Sequence, residues 1–334
     1  MDWRELGGRA SGHGWTIGSW FFYTVIRPGV APASEPWSVV AEDPKVGSVR
    51  LTGRIRHQSS RKLVVVVHGL GGDVEAPYVV AASLAAEAAG LSCLRINLRG
   101  ADRSGEDYYH AGLTADLHAA LSSEELLCYE EVFVLGYSVG GHLTLRYSTD
   151  APDPRVRAVA AVSPPLDLDL CATAFDRPGC EIYRRSVLGG LKEIYEKVAE
   201  RRSVPAPVEE VRRLRKIREW DNLVVAPRYG FRDAEHYYRS VSVAPRLAEL
   251  PLRSLVLFAK NDPMVPASAV AENASRCGPN ARVEWIDTGG HMAFSSKLDL
   301  GCGGALGLEA QIMSWLQAGS NDTHAVPEVP WPRS

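Results

Sequence analysis

The chain has 334 residues, of which 46% are hydrophobic and 23% charged, and its formal net charge is −3. This length and composition predict a soluble globular protein with one large domain or two ordinary ones. The small net charge excludes a global field that would attract nucleic acid or acidic lipid, so we expect neither as a partner.

The N-terminal residues lack the basic segment and apolar core of a secretory signal, which predicts a cytoplasmic location. Residues 15–26 are apolar and aromatic, but a membrane-spanning helix needs about 20 such residues. We therefore expect no stable membrane anchor. This stretch is predicted to pack against the domain, and a membrane-surface or substrate-entrance patch is the alternative.

Short strands and helices alternate over the first half of the chain. Apolar alternation at 37–40 and 48–55 predicts an antiparallel strand pair. The β-branched run at 63–67 is typical of a strand buried on both faces of a parallel sheet. The pattern continues with predicted helices at 76–89, 113–127 and 141–149 and predicted strands at 92–97, 132–135 and 157–162.

This alternation predicts βαβ crossovers and an α/β fold with a mostly parallel, doubly wound sheet. It stops near residue 165, becomes helical over 166–245, and resumes with elements at 254–258, 267–275, 282–286 and 306–317. The predicted organisation is an N-terminal extension (1–34), a core (35–165 and 246–318), an inserted helical lid (166–245) and a disordered tail (319–334). The lid should cover the carboxyl edge of the sheet, where ligands bind in such folds.

Two features of the insertion have alternative interpretations. Its charged block, 200–219, has apolar residues at every third position (Val208, Val211, Leu214 and Ile217). That spacing favours the solvated face of a lid helix over a patch for an anionic ligand. Cys171 and Cys180 are close enough in sequence to pair, but free thiols are expected in a cytosolic protein.

The most informative motif is Gly136-Tyr137-Ser138-Val139-Gly140, between the predicted strand 132–135 and the predicted helix 141–149. Strand, G-x-S-x-G and helix form the nucleophile elbow of serine hydrolases. A Cβ at either glycine would collide with the neighbouring strand or helix. Ser138 is therefore the predicted nucleophile.

A serine hydroxyl needs a base, and in this fold the acid and the histidine follow the serine in sequence. Asp262 follows the strand at 254–258, and His291 follows the strand at 282–286. We predict that His291 takes the proton of Ser138 and that Asp262 orients the imidazole. Weaker candidates for the acid are Asp167, Asp169 and Asp287, and His110 is the alternative base.

A tetrahedral intermediate needs two backbone N–H groups at its negatively charged oxygen. One is predicted at Val139, directly after the nucleophile. The other is predicted at Leu70, in the glycine-rich loop after the strand at 63–67, with His68, Gly69, Gly71 and Gly72 as its supporting residues. A phosphate-binding loop is excluded, because the sequence has neither G-K-[ST] nor G-x-G-x-x-G.

These motifs together resemble the α/β-hydrolases, and in particular the YheT-like branch of bacterial hydrolases and animal abhydrolase-domain lipases and esterases. The matching segments are residues 66–72, 97–100, 109–116, 136–141, 231–238, 262–263 and 289–291. Where this family often has Asn after the Gly-Gly of the elbow, the chain has His142. We expect His142 to be structural.

The resemblance implies a serine carboxylesterase that uses Ser138, Asp262 and His291 and needs no metal or cofactor. The predicted lid is rich in Leu, Val and Tyr, so the expected substrate is a short- to medium-chain acyl ester. An acyltransferase or thioesterase with the same triad remains an alternative, and a non-catalytic binding module is a remote one. The sequence does not specify an oligomeric state.

Overall fold

A computed structural model describes residues 11–18 and 30–319. Its central sheet has eight strands in the order β1-β2-β4-β3-β5-β6-β7-β8. The strands are β1 (Glu35–Asp43), β2 (Gly47–Arg56), β3 (Lys62–Val67), β4 (Ser92–Ile96), β5 (Glu131–Tyr137), β6 (Val156–Val162), β7 (Arg253–Ala259) and β8 (Ala281–Ile286). The pairs β1–β2 and β2–β4 are antiparallel, and all later pairs are parallel.

The β-branched run in β3 explains why the sheet is buried on both faces. Val65 and Val67 belong to one apolar cluster, and Val64 and Val66 belong to another. Successive side chains of a strand point to opposite faces, so each cluster covers one face of the sheet. The predicted α/β fold with a mostly parallel sheet is confirmed.

Helices cover both faces of the sheet and fill the long connection between β6 and β7. They are α1 (11–18), α2 (Pro77–Ala88), α3 (Ala115–Leu121), α4 (Val139–Thr149), α5 (Leu168–Phe175), α6 (Glu181–Ala199), α7 (Val208–Arg213), α8 (Ile217–Trp220), α9 (Ala226–Tyr229), α10 (Ala234–Val241), α11 (Ala267–Ala274) and α12 (Leu308–Gln317). A π-helical turn (Asp221–Val225) joins α8 to α9. We call the segment from α5 to α10 the insertion.

The spacing predicted that the charged block of the insertion forms one helix, and this prediction is wrong. The block forms α7 and α8, separated at Leu214, whose ψ of 140° is extended. The amides that begin α8 are bound by carboxylates: Glu219 accepts from Arg215 and Lys216, and Asp176 accepts from Ile217 and Arg218. These hydrogen bonds stabilise the start of α8 as a separate helix. The apolar residue at every third position does not indicate them.

The helix predicted at 113–127 is also shorter than expected. It ends at Leu121, and a 3-10 turn follows at Glu124–Leu126. Ser123 between them is extended, with φ −65° and ψ 141°. Serine competes for backbone hydrogen bonds and is a poor residue for a helix interior, which explains the break.

Other predictions concern the termini and the cysteines. Of the apolar stretch 15–26, only residues 15–18 lie in the described part of the chain, and of the predicted disordered tail only Gly319 does. Cys171 and Cys180 are both free thiols. Within residues 11–18 and 30–319, no helix combines the length and apolarity needed to cross a bilayer.

Candidate active site

Ser138 lies at a sharp turn between β5, which ends at Tyr137, and α4, which begins at Val139. Its φ of 52° and ψ of −122° are unusual for a residue with a side chain. The flanking glycines make this turn possible. A Cβ on Gly136 would lie 2.2 Å from the carbonyl oxygen of Gly140, and one on Gly140 would lie 2.4 Å from that of His68.

The imidazole of His291 lies between Ser138 and Asp262. His291 Nε2 is 3.0 Å from Ser138 Oγ, and Nδ1 is 2.8 Å from Asp262 Oδ2. Asp262 follows the carboxyl end of β7, and His291 lies in a small hairpin between β9 (Gly289–Gly290) and β10 (Ala293–Phe294), after β8. The carboxyl ends of three parallel strands thus bring together groups that are far apart in sequence.

The hydrogen bonds define the protonation pattern of this triad. A carboxylate accepts, so Nδ1 carries the imidazole proton and Nε2 accepts from the Ser138 hydroxyl. The other oxygen of Asp262 accepts from the amides of Met264 and Val265, at 2.8 and 2.9 Å. Asp262 is therefore fixed from both sides, and it fixes the imidazole in turn.

The three side chains are almost entirely buried. Their residues are 8% (Ser138), 4% (Asp262) and 4% (His291) exposed. Electrostatic interactions are stronger in such a water-poor site than in solvent. The arrangement can therefore stabilise an imidazolium while the serine oxygen attacks an acyl carbon.

The glycine-rich loop after β3 lies against the turn at Ser138. Two of its backbone amides donate to tyrosine hydroxyls, and the amide between them does not. The Gly69 amide donates to the Tyr78 hydroxyl at 2.9 Å, and the Gly71 amide donates to the Tyr109 hydroxyl at 2.7 Å. Between them, the Leu70 amide has no hydrogen-bond acceptor in the described part of the chain. That donor is free to bind a substrate oxygen.

The Val139 amide is the second predicted donor. It is the first residue of α4, where an N–H group has no partner within the helix and the helix dipole is positive.

Burial raises the pKa of the Tyr78 phenol to about 12. Tyr78 therefore stays neutral, and it accepts from the Gly69 amide without placing a negative charge beside the Leu70 amide.

His68 and the insertion hold this loop from opposite sides. His68 Nδ1 donates to the Gly69 carbonyl at 2.7 Å, and Nε2 accepts from the Leu98 amide at 3.0 Å. Burial lowers the pKa of His68 to about 4, so the ring is neutral at physiological pH. On the other side, a Cβ added at Gly71 would lie 2.8 Å from the Val187 carbonyl oxygen of α6.

The weaker acid candidates have other partners. Asp167 caps α5 by accepting from the Leu170 amide at 3.0 Å. Asp169 pairs with Arg218 at 2.7 Å, and Asp287 pairs with Lys260 at 2.5 Å on the surface. Among residues 11–18 and 30–319, Asp262 is the carboxylate hydrogen-bonded to His291.

The other two histidines near the elbow are enclosed by the protein. His110 Nδ1 accepts from the Gly112 amide at 3.1 Å, and burial lowers the pKa of His110 to about 3. His142 lies beneath the insertion, with Nδ1 2.6 Å from the Pro165 carbonyl oxygen and Nε2 3.0 Å from that of Val241. Both rings have structural partners, and within the part of the chain that the structure describes neither ring is hydrogen-bonded to Ser138.

Ser138 and His291 open onto a cavity of about 800 Å³. On one side it is lined by the insertion, including Leu168, Phe175, Trp220 and Tyr237, and on the other by residues of α2, α12 and the His291 loop, including Ala81, Phe294 and Leu308. The lining is mostly apolar, as expected of a ligand site. In the described ranges, no group of three or more His, Cys, Asp or Glu side chains is placed to hold a metal ion.

His291 has a further contact that the sequence does not predict. The amide of His291 donates to the hydroxyl of Thr16 in α1 at 2.8 Å, and that hydroxyl donates to the Gly12 carbonyl at 2.9 Å. Thr16 also lines the cavity. No local pattern around Thr16 signals a partner so distant in sequence, although the apolar stretch from residue 15 suggested packing against the domain.

Similar proteins agree with this architecture. The family model described as "Alpha/beta hydrolase family" matches residues 64–298. The chain is 29% identical over 267 residues to the putative esterase YheT of Escherichia coli, covering 76% of each protein. It is 22% identical to a monoacylglycerol lipase of Saccharomyces cerevisiae and 25% identical to the mouse phospholipase ABHD3, but covers only 57% and 59% of these longer proteins.

Two solved structures share the fold at low identity. The esterase Pf2001 of Pyrococcus furiosus superposes with a TM-score of 0.51 at 18% identity, over 78% of this chain and 84% of that one. Est1E of Butyrivibrio proteoclasticus gives a TM-score of 0.51 at 13% identity, over 85% and 97% of the two chains. The predicted fold and the resemblance to the YheT-like branch are confirmed, and the chain belongs to the alpha/beta hydrolase family.

Proposed function

We propose that the protein hydrolyses carboxylic esters through an acyl-enzyme intermediate on Ser138. The observation that carries this proposal is the His291 imidazole, hydrogen-bonded to Ser138 Oγ at 3.0 Å and to Asp262 at 2.8 Å. Relatives named as an esterase, a monoacylglycerol lipase and a phospholipase support an ester as the substrate.

In the first half-reaction, His291 Nε2 takes the hydroxyl proton while Ser138 Oγ bonds to the ester carbonyl carbon. The carbonyl electron pair moves to oxygen, which accepts hydrogen bonds from the Leu70 and Val139 amides. Asp262 stabilises the imidazolium. The bond to the alcohol oxygen then breaks as His291 returns the proton to it, and the alcohol leaves an acyl group on Ser138.

The second half-reaction repeats these steps with water. His291 takes a proton from water as its oxygen attacks the acyl carbon, and the same two amides bind the new oxyanion. Collapse of this intermediate releases the carboxylic acid and returns the proton to Ser138. No group outside the described site is needed to balance the reaction.

We propose acyl chains of short to medium length, which the mostly apolar cavity of about 800 Å³ can hold. A series of p-nitrophenyl esters from acetate to palmitate tests this preference. We expect the highest kcat/KM between butyrate and decanoate, and a maximum at palmitate would contradict it. Replacing Ser138 by alanine should lower kcat by about 10⁴- to 10⁶-fold on the best ester.

One relative favours a second candidate, transfer of the acyl group to an alcohol. The chain is 25% identical over 268 residues to a medium-chain fatty acid ethyl ester synthase/esterase of Saccharomyces cerevisiae, covering 58% of that protein. An alcohol would then replace water in the second half-reaction. Product analysis in rising ethanol concentrations separates the two: hydrolysis predicts mainly free acid, and transfer predicts mainly ethyl ester.

A further inference from the structure

The insertion side of the cavity contains a buried carboxyl group that the proposed hydrolysis does not use. Asp221, the first residue of the π-helical turn, is 7% exposed and lines the cavity. Its Oδ2 accepts a hydrogen bond of 2.5 Å from the hydroxyl of Tyr238, which also lines the cavity. The surroundings are aromatic, with Trp220 and Tyr237 among the buried residues.

No side chain in the described part of the chain forms a salt bridge with this carboxyl group. The nearby guanidinium of Arg218 pairs with Asp169 at 2.7 Å and stacks 5.1 Å from the centre of the Tyr238 ring. Asp221 itself has no salt bridge there, and its hydrogen bond with Tyr238 uses Oδ2 alone, which leaves Oδ1 without a protein donor but not fully enclosed. A carboxyl oxygen that borders a cavity and has no protein donor is available for a hydrogen bond with a bound ligand.

The chemistry of the site selects a neutral hydroxyl group as that ligand. Burial raises the pKa of Asp221 to about 7, so both protonation states are accessible at physiological pH. A hydroxyl group donates to the ionised form and accepts from the protonated form. An ammonium group fits only the ionised form, and a carboxylate would be repelled by it.

We propose that Asp221 and Tyr238 bind a hydroxyl group of the ester, so that hydroxylated esters are preferred over plain alkyl esters. The inference rests on the proposed hydrolysis at Ser138, since it names the substrate class of that same cavity. The remaining aromatic and aliphatic lining packs against the hydrocarbon part of the substrate. Asp221 and Tyr238 are thus specificity residues.

Three esters of one size class test this proposal. Propyl butyrate is the reference, glyceryl monobutyrate adds hydroxyl groups to the alcohol part, and propyl 3-hydroxybutyrate adds one to the acyl part. We expect kcat/KM of the wild type to be about tenfold or more higher for at least one hydroxylated ester than for the reference. In Asp221→Leu this ratio should fall to near one.

Two further variants keep the test decisive. Tyr238→Phe removes one buried oxygen and should also lower the kcat/KM ratio of hydroxylated to plain ester. This variant provides the test if Asp221→Leu does not fold. Glu309→Gln is the matched control, because Glu309 also lines the cavity and accepts from a tyrosine, Tyr137, but lies in α12 on the opposite side. It should leave the ratio unchanged.

A ratio near one in a wild-type enzyme that hydrolyses propyl butyrate would overturn the inference and leave the proposed function intact. So would a ratio that survives in Asp221→Leu and Tyr238→Phe, or that is lost only in Glu309→Gln. Absence of activity on all three esters, together with failure of a fluorophosphonate to label the protein, would instead overturn the proposed function.

Discussion

The backbone amide of His291 donates a hydrogen bond of 2.8 Å to the hydroxyl of Thr16, which lies 275 residues earlier in the chain. The contact is close, because a Cβ added at Gly290 would lie 2.3 Å from Thr16 Oγ1. The same helix reaches the insertion, where His13 Nδ1 lies 2.7 Å from the Tyr183 hydroxyl. Helix α1 therefore connects the histidine loop to the insertion.

Thr16→Val should lower kcat about tenfold with little change in KM, because one hydrogen bond that orients the His291 loop is lost. Thr16→Ser is the matched control, since it keeps the hydroxyl and should retain most of the activity. Steady-state kinetics and the rate of fluorophosphonate labelling measure the effect. Equal activity in the Val and Ser variants would show that the hydroxyl does not position His291.

Asp262→Asn should lower kcat by about 10⁴-fold while the protein remains folded, because the amide no longer holds the imidazole in the required tautomer. Asp169→Asn and Asp287→Asn are controls that remove a carboxylate paired elsewhere. Each should keep activity within a few-fold of the wild type. Near-full activity in Asp262→Asn would assign the acid to another residue.

Gly71→Ala tests the role of the glycine-rich loop after β3. Gly71 has a φ of 75°, and its new Cβ would lie 2.8 Å from a backbone oxygen of α6, so the loop must shift and displace the Leu70 amide. We expect kcat to fall about tenfold or more. Gly189→Ala in α6 is the control, because a Cβ there meets no atom within 4 Å. Unchanged kcat in Gly71→Ala would separate this loop from catalysis.

His142 makes the stability of the fold depend on pH. Burial lowers its pKa to about 4, so the ring is neutral in the folded protein. A neutral imidazole has one N–H group, which donates to only one of the carbonyls of Pro165 and Val241. In the unfolded chain its pKa is about 6.5. Protons therefore bind first to the unfolded state, and up to about 3 kcal/mol of stability is lost as pH falls from 6.5 to 4.

His142→Gln should remove this component. Urea unfolding at pH 7.5 and pH 5 measures it: the variant is expected to be less stable than the wild type at pH 7.5 but to lose less stability on acidification. His57→Gln is the comparison, because His57 is exposed and pairs with Glu125 at the surface. If wild type and His142→Gln lose equal stability between the two pH values, His142 is not held neutral in the fold.

The strands and the three residues at their carboxyl ends could be predicted from sequence because their signals are local. The Val run of β3, the G-x-S-x-G turn, and the loops that carry Asp262 and His291 after later strands each occupy a few consecutive residues. In a parallel sheet, the topology alone then places Ser138, Asp262 and His291 at one edge.

The contacts that were missed depend on distant partners. Thr16 and Asp221 acquire their roles from His291 and Tyr238, and neither pair has a spacing or composition that marks it. The break between α7 and α8 has the same origin, because a carboxylate from α5's C-cap, Asp176, binds the amides that begin α8. In this charged block, hydrogen bonds to a distant residue produce two helices where the spacing of apolar residues predicted one.

The central claim, that Ser138 is an activated nucleophile, is tested most directly by mapping the site of fluorophosphonate attachment with mass spectrometry of digested protein. We expect one phosphonylated residue, Ser138, and no labelling in Ser138→Ala or His291→Ala. Ser148→Ala, on the same helix and outside the cavity lining, should label like the wild type. Attachment at another residue, or undiminished labelling of Ser138→Ala, would contradict the account.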